Sequence, residues 1–487
     1  MRLKIPNEVL HVYESLHIAG YEAYLIGGCV RDLLLEREPK DWDITTNATP
    51  EKIQQVFPDS FYENQFGTVG VKTESEDPRL KVIEVTPYRL EDEYKDARWP
   101  NRVVWSDKLE DDLKRRDFTI NAIAYEPHRS ELIDLHEGEE ALKNKLVVAV
   151  GDPKERFAED ALRMLRAVRL ACELDFTIAS ETMAGIAANA SQLEKISCER
   201  IRDEFIRIIE TDRPMQGLYV AQKLGLLKYI LPELEGAMGI EQNQAHSFDV
   251  FEHSLRTLQY AADQKWPIHV RLAALLHDIG KPDSRRHDKE KDDFTFHGHE
   301  VIGARMAKKI LENLKLPNDL TEKIVRLVRW HMFFSDPDKI TLSAVRRLIV
   351  NVGQENIWDL LNLRICDRIG TGRPKAQPFR LRKYISMVEE ALRDPISVGM
   401  LKIDGKQLMA LSAERPGPKI GWTLHALLEE VFDDPTKNDA AYLERHALEL
   451  LALPAEELKK LGEQGKDRRT EEDEKEVEKL REKYHVS

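Results

Sequence analysis

The stretch from Leu25 to Thr45 decides the fold and reads Leu-Ile-Gly-Gly-Cys-Val-Arg-Asp-Leu-Leu-Leu-Glu-Arg-Glu-Pro-Lys-Asp-Trp-Asp-Ile-Thr. Gly27 and Gly28 end an apolar run and remove side chains where a backbone must turn tightly or approach a phosphate. Asp41 and Asp43 stand two apart on a predicted strand, so both carboxylates point to one face and can share hard divalent cations. Paired metals activate an attacking hydroxyl and stabilise a leaving pyrophosphate. The stretch therefore predicts a nucleotide site made from a glycine turn and two acids.

The glycine pair and the acids, in this order and about a dozen residues apart, resemble the signature of polymerase-β-like nucleotidyltransferases. Gly-Gly-Cys-Val-Arg-Asp followed by Asp-Trp-Asp is similar to the class II branch, which holds the bacterial CCA-adding tRNA nucleotidyltransferases and the related poly(A) polymerases. The resemblance implies that Gly28 and Arg31 bind the nucleotide and that Asp41 and Asp43 are catalytic ligands of Mg²⁺. Glu84, on a later predicted strand, is a candidate third acid, with a surface position as the alternative.

The composition is that of a soluble protein with several domains. At 487 residues the chain is too long for one core, so three or four domains are expected. The net charge of −14 restricts any nucleic-acid surface to a local basic patch. Four dispersed cysteines without a Cys-x-x-Cys pair predict reduced thiols and a cytoplasmic location. The polar start and the lack of a long apolar run predict neither a signal peptide nor a membrane span.

A polar, turn-rich segment over residues 88–105 is predicted to be a mobile loop, and a helix is predicted from Leu109 that bears Arg115, Arg116 and Asp117. On residue types alone, Arg-Arg-Asp fits a charged helix end as well as a ligand group. An arginine can grip triphosphate oxygens, and an aspartate can accept a ribose hydroxyl. The stretch resembles the family's Arg-Arg-Asp motif, which implies triphosphate contact for Arg116 and ribose contact for Asp117.

A strongly helical pattern predicts one helix over residues 154–173. Spacings of three put Asp160, Arg163 and Arg166 on one face, which suits a salt-bridged surface helix or a phosphate-facing one. The sequence Glu-Asp-Ala-Leu-Arg resembles the family's Glu-Asp-x-x-Arg element, whose Asp and Arg serve as a protein template for the incoming base. The resemblance implies that Asp160 and Arg163 read the base and that Arg166 and Arg169 lie near the phosphates.

A second constellation follows in the order His, His-Asp, His, His, Asp, at His253, His277, Asp278, His299, His331 and Asp367. A single histidine on an apolar helix is usually a core residue, but burying the ionisable pair His277 and Asp278 is costly unless a metal or partner compensates. The order is similar to that of the HD phosphohydrolase superfamily. This resemblance implies His253, His277, Asp278 and Asp367 as ligands, with His299 and His331 extending the site to a second metal. Imidazole and carboxylate together suit Mg, Mn, Ni or Fe.

Amphipathic helices after residue 372 resemble the C-terminal body of class II CCA-adding enzymes, which implies contact with the tRNA elbow; a helical domain without a ligand is the alternative. From Lys459 the chain is mostly charged and is predicted to be a solvated or frayed helix. The expected fold class is α+β, with a small mixed sheet in a polymerase-β-like nucleotidyltransferase head over residues 1–150. All-α parts follow: a nucleotide-recognition neck (151–235), an HD metal-phosphohydrolase domain (236–372) and a tRNA-binding body and tail (373–487).

The leading functional interpretation is a tRNA nucleotidyltransferase that adds C, C and A to the tRNA 3′ end from CTP and ATP. The full-length segment 88–105 argues against CC addition alone, because CC-adding relatives typically have it shortened. Addition of A alone stays open, since the same Asp-Arg pair serves both activities. A different class of answer is an HD hydrolase acting on 2′,3′-cyclic or 3′-terminal phosphates, with the head holding RNA. Poly(A) polymerase and a silent RNA-binding protein fit less well.

Overall fold

The structure is a computed structural model, and it describes residues 3–63, 67–91, 94–95, 99–100, 103–242, 247–289, 292–333, 340–393, 398–412 and 414–462. The chain divides into two compact units, Met1–Glu235 and Gly236–Ser487. The finer division of each unit at residues 150 and 372 stays a prediction. Among the described residues, no helix combines the length and hydrophobicity that crossing a bilayer would require.

The first unit is built on a seven-stranded mixed sheet. Its strands are β1 (Ala23–Ile26), β2 (Asp43–Thr46), β3 (Ser60–Tyr62), β4 (Val69–Lys72), β5 (Val82–Pro87), β10 (Ile123–Glu126) and β11 (Glu131–Asp134), alongside the short pairs β6 (Arg89–Glu91), β7 (Tyr94–Lys95), β8 (Trp99–Pro100), β9 (Val103–Trp105), β12 (Leu146–Val147) and β13 (Thr177–Ile178). The sheet order is β11-β10-β1-β2-β5-β4-β3. Only β2 and β5 pair in parallel; the other neighbours in this sheet are antiparallel.

Helices cover the sheet and then form the neck. They are α1 (Asn7–Ile18), α2 (Gly28–Leu34), α3 (Pro50–Val56), α4 (Leu109–Lys114), α5 (Gly138–Lys143), α6 (Pro153–Glu159), α7 (Leu162–Leu174), α8 (Ser180–Asn189), α9 (Cys198–Glu210), α10 (Pro214–Lys223), α11 (Leu227–Ile230) and α12 (Pro232–Glu235). The alternating pattern of β5 buries Ile83 and Val85 on one face. Glu84 is therefore on the opposite face. Parallel pairing of β5 with β2 along the sheet makes Glu84 the partner of Asp43.

The predicted helix over residues 154–173 is wrong as a single element, because it is broken between α6 and α7. Asp160 has extended backbone angles, φ −140° and ψ 105°. Its Oδ1 accepts the backbone N–H of Leu162 at 3.0 Å. An aspartate side chain that accepts a hydrogen bond from the backbone two residues later competes with helix formation. The 3.6-residue periodicity of the sequence continues across this break, and for that reason the pattern predicted a single helix. Asp160 consequently precedes the helical face that carries Arg163 and Arg166.

Two further predictions need correction. The helix from Leu109 ends at Lys114, so Arg115, Arg116 and Asp117 follow it and are not carried on it. The segment 88–105 is not simply a loop, because β6 pairs with β9, and β7 with β8. Val103, Val104 and Trp105 are residue types that favour a strand, which outweighs the polar character of the segment. The part of the predicted loop at residues 92–93, 96–98 and 101–102 lies outside the described residues.

The second unit is almost entirely helical. Its elements are α13 (Val250–Asp263), α14 (Ile268–Leu276), α15 (Lys281–Ser284), β14 (Arg286–Asp288), β15 (Asp293–Thr295), α16 (His299–Asn313), α17 (Asn318–Trp330), α18 (Leu342–Val352), α19 (Ile357–Gly370), α20 (Phe379–Ala391), α21 (Gly405–Ser412), α22 (Pro418–Asp433) and α23 (Ala440–Leu451). The last three helices enclose a core that includes Leu408, Leu427 and Leu443. Most of the predicted charged tail, residues 463–487, lies outside the described residues.

Candidate active site and metal centre

The glycine turn after β1 lies directly against the predicted catalytic acids. Gly27 has φ of +80°, in the left-handed region that favours glycine. A β-carbon at Gly27 would lie 3.0 Å from Asp43 Oδ2 and 3.2 Å from Arg116 Nη1, and one at Gly28 would lie 3.7 Å from Asp41 Oδ1. The turn therefore leaves its backbone open beside both carboxylates, and it brings Arg116 from a distant segment to the same place.

The acids near the turn suit a divalent cation. The sheet register places Glu84 of β5 beside Asp43 at the start of β2. Burial, with the Asp41 carboxylate as the next cause, raises the pKa of Asp43 to about 7. Burial and Asp43 likewise raise the pKa of Glu84 to about 7. A cation bound between such carboxylates would relieve their mutual repulsion, so the residues of this site fit a divalent metal ion.

Asp112 fixes the two arginines that follow α4. Its Oδ1 accepts Arg115 Nη2 at 2.5 Å and its Oδ2 accepts Arg116 Nη2 at 3.1 Å. Burial alone would raise the pKa of Asp112, but the two guanidinium groups outweigh it and hold that pKa below its usual value. Asp112 thus holds the positively charged guanidinium of Arg116 in a fixed orientation beside the glycine turn. Sequence analysis missed Asp112, although its spacing of three and four to the arginines was a usable signal.

A chain of hydrogen bonds joins Arg31, Asn121, Asp117 and Arg166. Arg31 Nη1 donates to Asn121 Oδ1 at 2.8 Å, and Asn121 Nδ2 donates to Asp117 Oδ1 at 3.1 Å. Arg166 Nε donates to Asp117 Oδ2 at 2.8 Å. Burial favours the protonated form of Asp117, but Arg166 outweighs it and holds the pKa of Asp117 well below its usual range. The structure therefore brings together four polar groups, of which sequence analysis missed Asn121.

The two predicted base readers lie at the start of α7, and each already has a protein partner. Asp160 Oδ2 accepts Arg200 Nη2 at 2.7 Å. Arg163 Nη1 donates to Glu159 Oε2 at 2.5 Å, and its Nη2 donates to the backbone carbonyl of Arg115 at 3.2 Å. These contacts hold each side chain in place, and the backbone N–H of Arg163 donates to the carbonyl of Asp160 at 3.1 Å, so the two residues are neighbours. Glu159 and Arg200 were not predicted as site residues, and their role becomes visible only from the folded contacts.

Arg169 lies in a separate ion-pair group within the neck. It is 8% exposed, and its Nε donates to Glu204 Oε2 at 2.7 Å. Its Nη1 donates to Glu173 Oε2 at 2.8 Å. Arg166 Nη1 reaches the other oxygen of Glu204 at 3.8 Å. Arg169 is thus linked to Arg166 through a shared carboxylate.

In the second unit, all six predicted metal ligands converge: His253, His277, Asp278, His299, His331 and Asp367. Asp278 is central, because its Oδ2 lies 3.2 Å from both His253 Nε2 and His277 Nε2. Its Oδ1 lies 3.3 Å from His299 Nε2 and 3.7 Å from His331 Nε2. Asp367 Oδ1 lies 3.4 Å from His253 Nε2. The cluster is therefore two groups of ligand atoms that share one carboxylate.

The ring orientations also suit metal binding. Backbone carbonyls three residues earlier accept Nδ1 of His277 (2.8 Å), His299 (2.7 Å) and His331 (2.7 Å). The Nε2 atoms therefore face Asp278. Burial lowers the pKa of His277, but the Asp278 carboxylate outweighs burial and raises that pKa to about 10, so a metal bound at His277 would displace a proton. Burial lowers the pKa of His331 to about 4, which keeps that ring neutral and able to bind a metal. Lys281, whose Nζ lies 2.7 Å from Asp278 Oδ2, adds a positive charge at the edge of the cluster.

Comparison with known families places this architecture in a defined class. Residues 23–148 match the Poly A polymerase head domain, residues 175–238 the probable RNA and SrmB-binding site of polymerase A, and residues 250–362 the HD domain. The protein is thus a nucleotidyltransferase with a polymerase head and an attached HD domain, and both of these domains imply the use of divalent metal.

Relatives narrow the class. The chain is 46% identical to a CCA-adding enzyme of Lactobacillus delbrueckii subsp. bulgaricus, over 90% of this chain and 96% of the relative. It is 34% identical to an A-adding tRNA nucleotidyltransferase of Deinococcus radiodurans, over 66% and 75%. The crystal structure of the Bacillus stearothermophilus CCA-adding enzyme in complex with CTP matches with a TM-score of 0.68 at 27% identity, over 91% and 96%. The chain belongs to the family of CCA-adding enzymes and related tRNA nucleotidyltransferases, which confirms the predicted family and fold class.

Proposed function

We propose that this chain adds C, C and A to the 3′ end of tRNA from CTP and ATP without a nucleic-acid template. One observation carries the proposal: Asp41, Asp43 and Arg116 meet at the backbone of the Gly27 and Gly28 turn. This arrangement suits a nucleoside triphosphate whose charged oxygens face the turn and Arg116, with the α-phosphate near the acids.

The roles of the head residues follow from their chemistry. Asp41 and Asp43, with Glu84 beside them, would hold Mg²⁺. Bound there, the ion lowers the pKa of the attacking hydroxyl and neutralises charge on the departing pyrophosphate. Gly28, Arg31 and Arg116 would bind phosphate oxygens. The terminal ribose hydroxyl of tRNA would then attack the α-phosphorus in line, with no protein base assigned.

Base selection is assigned to Asp160 and Arg163. A carboxylate accepts the exocyclic amine of either C or A, and a guanidinium donates to ring or carbonyl acceptors, so the pair can serve both bases. Glu159 and Arg200 would orient these two side chains, and Arg200 would have to yield Asp160 to the base.

The ribose and remaining phosphate contacts are assigned to the neighbouring ion pairs. Asp117 would accept a ribose hydroxyl, and Arg166 would turn between Asp117 and phosphate oxygens. We assign Arg169 to holding Arg166 in place through Glu204, because its buried ion pairs leave it little freedom to reach a phosphate itself.

An extension assay tests the proposal against A addition alone. The purified chain would be incubated with tRNA ending at the discriminator base, after C, or after CC, with CTP and ATP supplied singly and together. Growth of the shortest tRNA to CCA is the expected result, and extension of the CC-ended tRNA alone would establish the A-adding alternative. Asp43→Asn should abolish extension, whereas Asp59→Asn, at an exposed position of the same head, should not.

We also propose a second activity, phosphohydrolysis of 2′,3′-cyclic or 3′-terminal phosphates by the HD domain. The sharing of Asp278 between two groups of buried imidazoles supports it. Mg, Mn, Ni or Fe bound by such ligands would activate water for attack on phosphorus. Hydrolysis of a 2′,3′-cyclic nucleotide, tested with each metal after chelation, should occur in the parent chain and vanish in Asp278→Asn. Equal hydrolysis by that variant would refute the assignment.

The tRNA contact of the C-terminal body rests on the family resemblance alone.

A further inference from the structure

A third cluster of ligand-type side chains lies in the head and has no part in the chemistry above. His17 is in the last turn of α1, Glu126 ends β10, and His128 follows in the turn to β11. One ligand atom from each of the three lies within 4.8 Å of the other two. Residues more than a hundred positions apart in sequence thus meet at one point, which we call the α1–β10 cluster.

The cluster is separate from the catalytic acids. In the sheet, β1 lies between β2 and β10, and Ile26 is the partner of both Asp43 and Ala124. Glu126 lies two residues beyond Ala124, which displaces it by roughly 7 Å along the strand from the level of Asp43. Across the sheet, Glu126 of β10 is also two strands away from Asp43 of β2, because β1 lies between them. A ligand bound at Glu126 would therefore not share the metal of the active site.

One ring nitrogen in the cluster is buried and unused. Among the described residues, His17 Nε2 is shielded from solvent and has no hydrogen-bond partner. A buried polar atom without a partner costs about 1–3 kcal/mol, so native proteins rarely leave one. Since this nitrogen has no protein partner, His17 can offer a lone pair to a cation that Glu126 and His128 also bind.

The surrounding contacts hold the ligands in place before a cation arrives. Glu126 Oε1 accepts the backbone N–H of His128 at 3.3 Å, and Oε2 accepts that of Arg129 at 2.5 Å. The Tyr13 hydroxyl donates to Glu126 Oε1. The Tyr13 ring packs edge-on against both imidazoles, with centroids 4.5 Å from His17 and 4.9 Å from His128. Such outer contacts orient metal ligands and tune their affinity.

We infer that the α1–β10 cluster is a metal site for Zn²⁺ or a similar borderline ion, bound by His17, Glu126 and His128. Two imidazoles and one carboxylate are a ligand set that zinc accepts in tetrahedral sites with water as the fourth ligand. The ion would tie the end of α1 to the β10–β11 turn, so its effect is to stabilise the head. It stands apart from the proposed transferase chemistry, and its test does not depend on that activity.

Equilibrium dialysis of the full chain against ZnCl₂, with metal counted by mass spectrometry, tests the inference. The parent chain should retain one more zinc ion per molecule than either His17→Gln or His128→Gln. Zinc bound at the HD cluster does not contribute to this difference, because the parent and both variants have the same HD cluster. His11→Gln is the matched control, since His11 is an exposed residue of the same helix and should leave the count unchanged. Tyr13→Phe should keep the stoichiometry but weaken zinc binding about 10–100-fold.

Thermal unfolding supplies the second measurement. Zinc should raise the melting temperature of the parent chain and of His11→Gln more than that of His128→Gln. The side chain of His128 is exposed, so its replacement by Gln leaves the folded head intact. An equal zinc count in the parent and both ligand variants would overturn the inference. So would an equal loss of zinc in His11→Gln, because that would indicate adsorption to any surface histidine.

Discussion

Replacing Asp43 by Asn should abolish nucleotide addition and yet stabilise the metal-free protein at neutral or higher pH. The reason is that Asp43 is an acid whose folded-state pKa of about 7 lies above the value of 3.8 expected for an unfolded chain. Between these two values the folded state binds the extra proton, so the stability contributed by this group falls as pH rises. Above the upper value the native protein carries a costly charge, which asparagine removes.

The magnitude follows from the shift in pKa. A rise from 3.8 to about 7 is worth about 4 kcal/mol at the rate of 1.36 kcal/mol per pKa unit. The Asp43 side chain is only partly shielded from water, and solvent screening reduces this to about 2 kcal/mol. For a unit of this size, Met1–Glu235, such a change corresponds to an increase of about 4–8 °C in melting temperature.

The assay is thermal unfolding in EDTA at about pH 5 and about pH 8, with Asp59→Asn as the control for a neutralised acid on the same head. The gain in stability of Asp43→Asn over the parent should be clearly larger at the higher pH than at the lower one, and the control should match the parent at both. Added Mg²⁺ should stabilise the parent more than the variant, because the ion relieves the same repulsion in the head and both proteins keep the same HD cluster. A variant that is no more stable than the parent at the higher pH would refute the view that burial and Asp41 destabilise this carboxylate.

Three other substitutions test separate parts of the site. Glu159→Gln should weaken the hold on Arg163 and raise KM for CTP and ATP several-fold with tRNA affinity unchanged; unaltered steady-state kinetics would contradict that role. Arg169→Met leaves Glu204 buried without its nearest cation and should lower the unfolding free energy by about 3 kcal/mol in urea titrations, whereas a loss below about 1 kcal/mol would show the pair to be dispensable. Asp278→Asn should remove metal from the HD cluster, as counted by mass spectrometry, and leave CCA addition within about twofold of the parent; a parallel loss of both would argue that the two sites are coupled.

Period-two patterns and glycine punctuation predicted the strands and the turn around which the head is built. The predicted strand that carries Asp43 is β2, but it begins at Asp43, so Asp41 precedes the strand and is not part of it. Glu84 lies on β5, the later strand predicted to carry it. The order of the strands across the sheet was not predictable, since β5 reaches β2 in parallel after a crossover. For that reason Glu84 could be named as an acid on a strand, but its position beside Asp43 required the folded sheet.

For the two histidine clusters as well, the sequence could predict some features, whereas others depend on the folded structure. The order of His and Asp residues was enough to identify the HD ligands as a group. In the folded protein, Asp278 offers one oxygen to each half of the cluster. This geometry depends on how the five segments that carry the ligands pack together. The α1–β10 cluster gave no sequence signal at all, because His17 and His128 belong to elements that only the sheet brings together.

The contacts between neck and head explain how a protein surface could serve as a template for a base. Arg163 donates to the backbone carbonyl of Arg115 at 3.2 Å, and Arg156 donates to that of Lys114 at 2.9 Å. These carbonyls directly precede Arg116, the side chain that meets the glycine turn. The proposed base reader and the proposed phosphate ligand are therefore held by one short stretch of backbone. A base placed by Arg163 and a phosphate placed by Arg116 would then be at a set separation, and only a base whose edge fits at that separation would bring its α-phosphate to Asp41 and Asp43.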